Sequence, residues 1–377
     1  MSITTQHYAP SHTKHRPRVM ILASGDLWAG AEAVVYEICA GLKEHTPADI
    51  TAVFLNEGIL TDRCRDAGIP THVIDEEKYN FIILTKRAVS LAFKIQPDVI
   101  HAHRYKENMM AFAIKVFLRK VHLVSTVHGR FEHQGGLKQR ILTLVNAVIL
   151  GRFFSSVVAV SHDLKGYLSH DLHIPKRKIQ CVINGIGAGN EKRKNLMAGD
   201  AITIGSAGRL FPVKDYSLMV DVARDLCERK DQIRFVLAGD GPDMEQLRDK
   251  VRKYGIEERF QLLGHVEDME GFYRSIDVYL NTSRHEGMPV TVLEAMSHGI
   301  PVVAPDMGGL KELISDGEDG FLVKERSSSA FAETLIRLAE NKQSARNMGM
   351  YARQKVEKEF SSKKMVQDYL ALYTSLI

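Results

Sequence analysis

The sequence predicts an α/β chain built as two doubly wound parallel sheets that face each other across a cleft. Three observations predict it. The chain has 377 residues, too many for one hydrophobic core and enough for two domains. Short, continuously apolar runs alternate with helical patterns from end to end, as in strand–helix–strand units whose sheets are covered on both faces. A polar, glycine-bearing stretch from Gly187 to Asp200 has no apolar period and divides the alternation into halves.

Residues 1–16 read as a flexible polar tail, without the apolar stretch and cleavage site of a signal peptide. A first domain over 17–190 holds strand candidates at Arg18–Ala23, Thr51–Leu55, His72–Ile74, Asp98–His103, His122–Val127, Ser156–Val160 and Ile179–Ile183. Between them, Ala31, Val34, Val35, Ile38 and Leu42 recur at helical spacing, as do residues around Ala88 to Ala92. The apolar run Ile141 to Val160 is interrupted by Gly151, Arg152, Ser155 and Ser156, and a membrane span needs about 20 apolar residues. It divides into a helix ending near Arg152 and a buried strand. Residues 191–200 form a linker. The second domain, 201–358, repeats the design at Ile202–Ala207, Arg234–Ala238, Phe260–Leu263, Val278–Asn281, Pro301–Ala304 and Phe321–Val323. Beyond Lys324 the pattern is helical, and residues 359–377 form an amphipathic helix with Met365, Tyr369, Tyr373 and Leu376 on one face.

Composition narrows the class. Four scattered cysteines (Cys39, Cys64, Cys181, Cys227) share no metal-type spacing and read as reduced thiols of a cytoplasmic protein. Net charge is +4, but His101 to Asn190 carries thirteen Lys/Arg against four Asp/Glu. That segment is either a solvated face or one drawn to an anionic membrane surface, with the protein peripheral at the inner face of a membrane. It lacks the aromatic interleaving of an RNA motif, so nucleic acid is not expected as a partner.

In two Rossmann-like domains, ligands bind beyond the carboxyl ends of the strands, so strand-end motifs carry the functional reading. Glu286 and Glu294 straddle a loop-to-helix junction, with Pro289 at the first helical position and Gly299 as the stop. Glu294 is then about one turn inside the helix and Glu286 at its mouth, where carboxylates can accept from ribose and sugar hydroxyls. Arg209 follows the strand ending at Ala207, and Lys214 opens the next helix; a planar fork and a point charge can clamp a diphosphate from two sides. Gly308 and Gly309 precede a helix whose first amides are free to meet an anion. In the first domain a glycine-bearing loop, Ser24 to Glu32, opens a helix at Gly30. His128 ends another strand and can donate to a sugar hydroxyl or handle protons. His101 and His103 share a strand face, but no third metal ligand is visible. Gly185 to Asn190 imitates a dinucleotide fingerprint, with Asn190 in the third glycine position and a charged run where the helix should start.

Taken in order, these pieces resemble the retaining GT-B glycosyltransferases that carry the Glu-x7-Glu signature (family 4). In the second domain the resemblance rests on the Gly208-Arg209-Leu210 and Lys214-Asp215 segments, Ala238 to Pro242, Phe260 to Gly264, Asn281 to Ser283, Glu286 to Met296, and Gly308-Gly309. In the first it rests on Ala29 to Glu32, His101 to His103, His128-Gly129, Val160-Ser161 and Asn184 to Ile186. The resemblance implies a GT-B fold whose C-terminal helix crosses back to the first domain. It implies metal-independent transfer of a sugar from a nucleoside-diphosphate donor to a glycan or lipid-linked acceptor, in cell-envelope polysaccharide or lipopolysaccharide synthesis, with no cofactor beyond the donor.

By the same resemblance, Arg209 and Lys214 neutralise the diphosphate and Glu294 holds the ribose. Glu286 and the amides near the Met288-Pro289-Val290 segment hold the sugar, and Gly30 and Gly308 to Leu310 also meet the donor. His265 and Val266 meet the base through their backbone, and His128 approaches the sugar from the opposite lobe. Two departures stand out. Ala29 replaces the first glycine of a Gly-Gly-x-Glu pattern, and Gly187 replaces an acid at the hinge. No Asp-x-Asp sequence is present, so cationic side chains would take the role of a divalent ion. Neither glutamate is evidently placed as a covalent nucleophile. An epimerase or phosphorylase on the same fold, or a non-catalytic scaffold of glycan assembly, are the alternative readings.

Overall fold

The computed structural model describes residues 16–25, 28–130, 136–187, Met197 and 201–377. The expected N-terminal tail, apart from Arg16, and the linker 191–200, apart from Met197, lie outside the described residues. So do residues 26 and 27 of the first glycine-bearing loop and residues 188–190 of the fingerprint-like run.

The first half alternates as the sequence predicts. Its strands are β1 (Arg18–Ala23), β2 (Asp49–Phe54), β3 (Thr71–Val73), β4 (Val99–Ala102), β5 (His122–Val127), β6 (Ser156–Ala159) and β7 (Ile179–Cys181). Its helices are α1 (Gly30–His45), α2 (Ile59–Asp66), α3 (Phe81–Ile95), α4 (Tyr105–Phe117), α5 (Gly136–Phe153) and α6 (His162–His170). The strands form one parallel sheet in the order β3-β2-β1-β4-β5-β6-β7. Past the exposed Arg18, strands β1, β4 and β6 are buried on both faces, which is why their sequences are mostly apolar and do not alternate.

The second half adds β8 (Ile202–Ala207), β9 (Ile233–Ala238), β10 (Phe260–Gly264), β11 (Val278–Leu280), β12 (Val302–Pro305) and β13 (Gly320–Val323). Its helices are α7 (Tyr216–Cys227), α8 (Met244–Tyr254), α9 (Met269–Ser275), α10 (Val290–Ser297), α11 (Leu310–Leu313), α12 (Ser328–Glu340), α13 (Lys342–Glu359) and α14 (Ser362–Leu376). This sheet is ordered β10-β9-β8-β11-β12-β13. Each sheet reverses its strand order once, between β1 and β4 and between β8 and β11, and such switch points open a crevice at the carboxyl ends.

The chain passes between the two halves twice, and the crossings lie side by side. Ile186 bridges Ser361: its amide donates to the Phe360 carbonyl at 2.9 Å, and Ser362 donates back to its carbonyl at 2.9 Å. Helix α14 then packs on α1 of the first half. Its apolar face buries Met365, Tyr369 and Tyr373; the Tyr369 hydroxyl meets Thr126 Oγ1 at 2.9 Å and the Tyr373 hydroxyl meets His101 Nδ1 at 2.7 Å. Among the described residues, no helix is long and apolar enough to cross a membrane.

Three local expectations change. Pro289 is the N-cap of α10 and not its first helical residue, because its ψ of 116° is extended. Lys214 closes a 3-10 turn, Pro212–Lys214, and does not open a helix; Asp215 follows with a left-handed φ of 48°, and α7 starts only at Tyr216. The amides after β12 are not all free. Helix α11 has a single turn, so Leu310 donates to Met307 at 3.2 Å, while Gly309 donates to the Glu286 carbonyl at 3.1 Å.

Candidate active site

The loop after β11 brings the two charged motifs of the second half together. Thr282 Oγ1 donates to the Lys214 carbonyl at 3.2 Å, and the Arg284 amide donates to Val213 at 2.7 Å, so the loop is fastened to the turn after β8. Asp215 secures the same junction by accepting from Arg284 at 3.1 Å and Arg326 at 2.6 Å. The Lys214 ammonium therefore lies 2.6 Å from Glu286 Oε1. Ser283 Oγ donates to the same oxygen at 2.6 Å and Asn281 Nδ2 at 3.4 Å. Burial is the largest influence and works against a charged Glu286, but the Lys214 charge and these hydrogen bonds together outweigh it and hold the carboxyl below its usual range. Oε2 has no hydrogen-bond partner among the described residues. Arg209 is exposed at the carboxyl end of β8, with its guanidinium 5.1 Å from the Phe211 ring centre and no ion pair among the described residues.

Glu294 sits one turn into α10, as its spacing from Glu286 predicts. Tyr273 of α9 donates to its Oε2 at 2.7 Å. Burial dominates here, and the carboxyl is pushed up to about 7 despite that hydrogen bond; Glu37 of α1 adds to the rise and Arg63 of α2 opposes it. The two glutamates thus differ in kind, one an ion fixed by an ammonium and one a carboxyl poised between its forms at neutral pH.

Gly308 and Gly309 are needed for closeness. A Cβ at Gly309 would lie 1.6 Å from the Gly287 carbonyl oxygen, and one at Gly308 would lie 2.4 Å from that of Glu286. The Glu286–Gly287 segment is pressed from the other side too, since a Cβ on Gly287 would lie 2.3 Å from the His128 carbonyl oxygen of the first half. Met288 and Leu310 are buried beneath this loop, and the Met288 carbonyl accepts from Asn184 Nδ2 at 3.1 Å. Gly30, at the start of α1, faces Val290 at the start of α10: a Cβ there would lie 3.4 Å from the Val290 side chain. Two helix N-termini without side-chain caps so converge on the cleft, their first amides unsatisfied by the helices themselves. His265 and Val266 stand apart in the loop after the edge strand β10, at the same carboxyl ends.

His128 Nε2 lies 3.1 Å from His103 Nδ1, and the His103 ring lies 4.1 Å from that of His101. His101 also bonds Thr126 Oγ1 at 2.7 Å. Burial, reinforced by the Arg104 charge, lowers His128 to about 3, so the imidazole is neutral at physiological pH. It can exchange hydrogen bonds with a hydroxyl, but the proton-carrying part of the sequence expectation is not favoured. A further tie crosses between the halves: Glu312 of α11 accepts from the amides of His162 and Asp163 at the start of α6, at 2.8 and 2.9 Å.

Several of these residues escape sequence reasoning. Tyr273, Asn184 and Glu312 act on groups at least 21 positions away, and nothing in their local pattern marks them. Asn281 and Ser283 lie in a segment the sequence singles out, but their aim at Glu286 depends on the path of the turn.

Comparisons with known proteins agree with this arrangement. A family model described as Glycosyltransferase Family 4 matches residues 28–188, and one described as Glycosyl transferases group 1 matches residues 176–355. The chain is 27% identical over 308 residues to N-acetyl-alpha-D-glucosaminyl L-malate synthase of Bacillus anthracis, covering 78% of this chain and 79% of that one. It is 24% identical over 343 residues to UDP-Gal:alpha-D-GlcNAc-diphosphoundecaprenol alpha-1,3-galactosyltransferase of Escherichia coli, covering 83% and 88%. The Anabaena Alr3699/HepE protein, solved in complex with UDP and glucose, has the same fold, with a TM-score of 0.84 at 21% identity over 96% of this chain and all of that one. With two facing parallel sheets, a crossing C-terminal helix and matched family models running together from residue 28 to 355, the chain belongs to the GT-B glycosyltransferases of the family 4 type.

Proposed function

We propose that this glycosyltransferase moves a sugar from a nucleoside-diphosphate donor, with retention of anomeric configuration and without a metal ion, to a glycan or lipid-linked acceptor of cell-envelope polysaccharide synthesis. The observation that carries the reading is the Lys214–Glu286 pair at the β8/β11 switch point, with Arg209 exposed beside it and Glu294 one turn into α10. Two cations and two acceptors of different basicity suit the diphosphate, ribose diol and sugar hydroxyls that a nucleotide sugar offers, and this match supports the reading. The acceptor class is supported by the relatives, one of which is named for a diphosphoundecaprenol-linked acceptor.

In this reading Arg209 and Lys214 take up the charge that builds on the departing diphosphate, the part a divalent ion plays in other enzymes. Glu286 Oε2 accepts from a hydroxyl of the transferred sugar, while Oε1 stays engaged by its three donors. Glu294 accepts from the ribose. The backbone at His265 and Val266 meets the base, the Met288 to Val290 segment and Gly30 close over the sugar, and the Gly308 to Leu310 turn holds the Glu286 loop in place. His128 hydrogen-bonds the sugar as a neutral imidazole from the first half. The bond from the anomeric carbon to the diphosphate oxygen breaks, and the acceptor oxygen bonds that carbon from the same face. The acceptor proton passes to the departing phosphate oxygen, and no protein carboxylate is alkylated.

The test is nucleoside diphosphate release across common nucleotide sugars, with and without chelator. Transfer should persist in chelator, and Arg209→Ala and Glu286→Ala should each lower it by at least about a hundredfold, on the scale of losing one transition-state contact. The anomeric coupling of the product should match that of the donor. Full activity in both variants defeats the site, an inverted product defeats retention, and donor conversion without an acceptor points to an epimerase.

A further inference from the structure

Eleven of the sixteen large apolar side chains exposed among the described residues lie on three consecutive helices, α3, α4 and α5. The helices pack side by side, and the Phe112 and Phe153 rings join α4 to α5 at 4.5 Å. Helix α5 is the clearest case. Ile141, Leu144, Val145 and Val148 form one outward stripe, with Leu144 65% and Val148 57% exposed. Its inner side buries Ala147, Ile149 and Leu150, with Thr143 and Asn146 among them. A surface helix normally turns polar residues outward, and an outward apolar stripe opposite a packed inner side calls for an apolar medium to cover it.

The charges say which medium. The three helices carry eight Lys/Arg and one acid, Glu107, which is fully buried. On α5 the cations Lys138, Arg140 and Arg152 flank the stripe at its two ends. A second copy docking through the same patch about a two-fold axis would set these cations against themselves. An anionic lipid surface satisfies both features, accepting the apolar stripe at the headgroup boundary while its phosphates meet the cations.

We propose that the α3–α4–α5 face, centred on the outer stripe of α5, docks this enzyme in the plane of an anionic bilayer. The helix lies on the membrane and does not cross it. Docking in this way also orients the cleft, because α5 begins eight residues after His128. A lipid-linked acceptor held in the same bilayer would then be delivered to the site; that consequence rests on the proposed acceptor, but the docking does not.

Flotation with phosphatidylcholine vesicles, with and without about one third phosphatidylglycerol, tests the surface without needing turnover. The protein should float with the anionic vesicles and not the neutral ones, and release as salt rises from about 0.05 to about 0.5 M. Leu144→Glu with Val148→Glu should weaken binding at least about tenfold. Lys138→Gln with Arg140→Gln should weaken it about fivefold per cation removed and flatten the salt dependence. These residues are exposed, so both variants should melt as the parent does; if the apolar pair fails to fold, the cation pair still decides. No flotation with anionic vesicles, unchanged flotation of the variants, or a parent dimer that the Leu144 and Val148 changes split into monomers would each overturn the proposal, the last by assigning the face to self-association.

Discussion

Glu294 carries a consequence beyond its place in the cleft. The fold holds its carboxyl at about 7, above the ordinary 4.5, because burial penalises the charge. The folded chain therefore binds this proton more tightly than the unfolded one, and the contribution to stability falls as pH rises from about 4.5 to about 7. Glu294→Gln should make the protein more stable than the parent at pH 8 by about 1–3 kcal/mol, with the gain vanishing near pH 4, as urea denaturation at the two pH values would measure. In the proposed reading, ribose hydroxyls donate to the carboxylate and favour its charged form, so binding of the matching nucleoside diphosphate near pH 7 should release a proton. Calorimetry in buffers of different ionisation enthalpy would detect that release in the parent and its loss in the variant. At this scale the spacing of Glu286 and Glu294 is legible in the sequence, and so is their position at a helix mouth. Their opposite electrostatic states are not. Lys214 is 72 positions from Glu286, and the Tyr273 hydroxyl reaches Glu294 from a different helix.

At the scale of elements, the Gly308–Gly309 turn is the instructive correction. A glycine pair before a helix reads as an anion cradle, yet α11 is one turn long and two of the three amides close internal bonds. The glycines instead let two loops approach at backbone distance. Gly309→Ala would place a methyl 1.6 Å from a carbonyl oxygen that has no flexible end to yield. The expected cost is about 1–3 kcal/mol in thermal unfolding, together with a fall in transfer activity as the Glu286 loop is displaced. Retained activity and stability would mean that this loop tolerates rearrangement. The same crowding explains Gly287, whose partner lies across the cleft on the His128 backbone. The strands themselves were readable almost residue for residue, since apolar runs bounded by turn residues leave little freedom in a parallel sheet.

For the whole molecule, the C-terminal helix is what ties the ends of the chain together. Tyr373 and Tyr369 of α14 reach His101 and Thr126, which lie 272 and 243 residues earlier in the chain. Tyr373→Phe leaves the His101 Nδ1 nitrogen buried without its partner and should cost about 1–3 kcal/mol. Parent and variant alike should lose stability in acid. His101 and His128 are held near 3 by burial, so the unfolded chain takes up protons first as pH falls from 6.5 and stability drops through that window. Thermal melting of parent and variant between pH 5 and 8 would reveal both effects. An unchanged melting temperature in the variant would show that α14 is held by its apolar face alone.

By itself, the sequence determined the alternation of strand and helix, the division into two sheets, the crossing helix and the family, because each is written in local periodicity or in an ordered set of short motifs. It also determined which strand ends carry charge. The tertiary structure alone decided that Lys214 fixes Glu286 as an ion and that Glu294 is left near neutrality. It also decided that the glycines serve close packing and that the apolar residues of α5 face outward with cations beside them. Those outcomes depend on burial and on partners distant in the chain, and neither burial nor distance is encoded in the spacing of neighbouring residues.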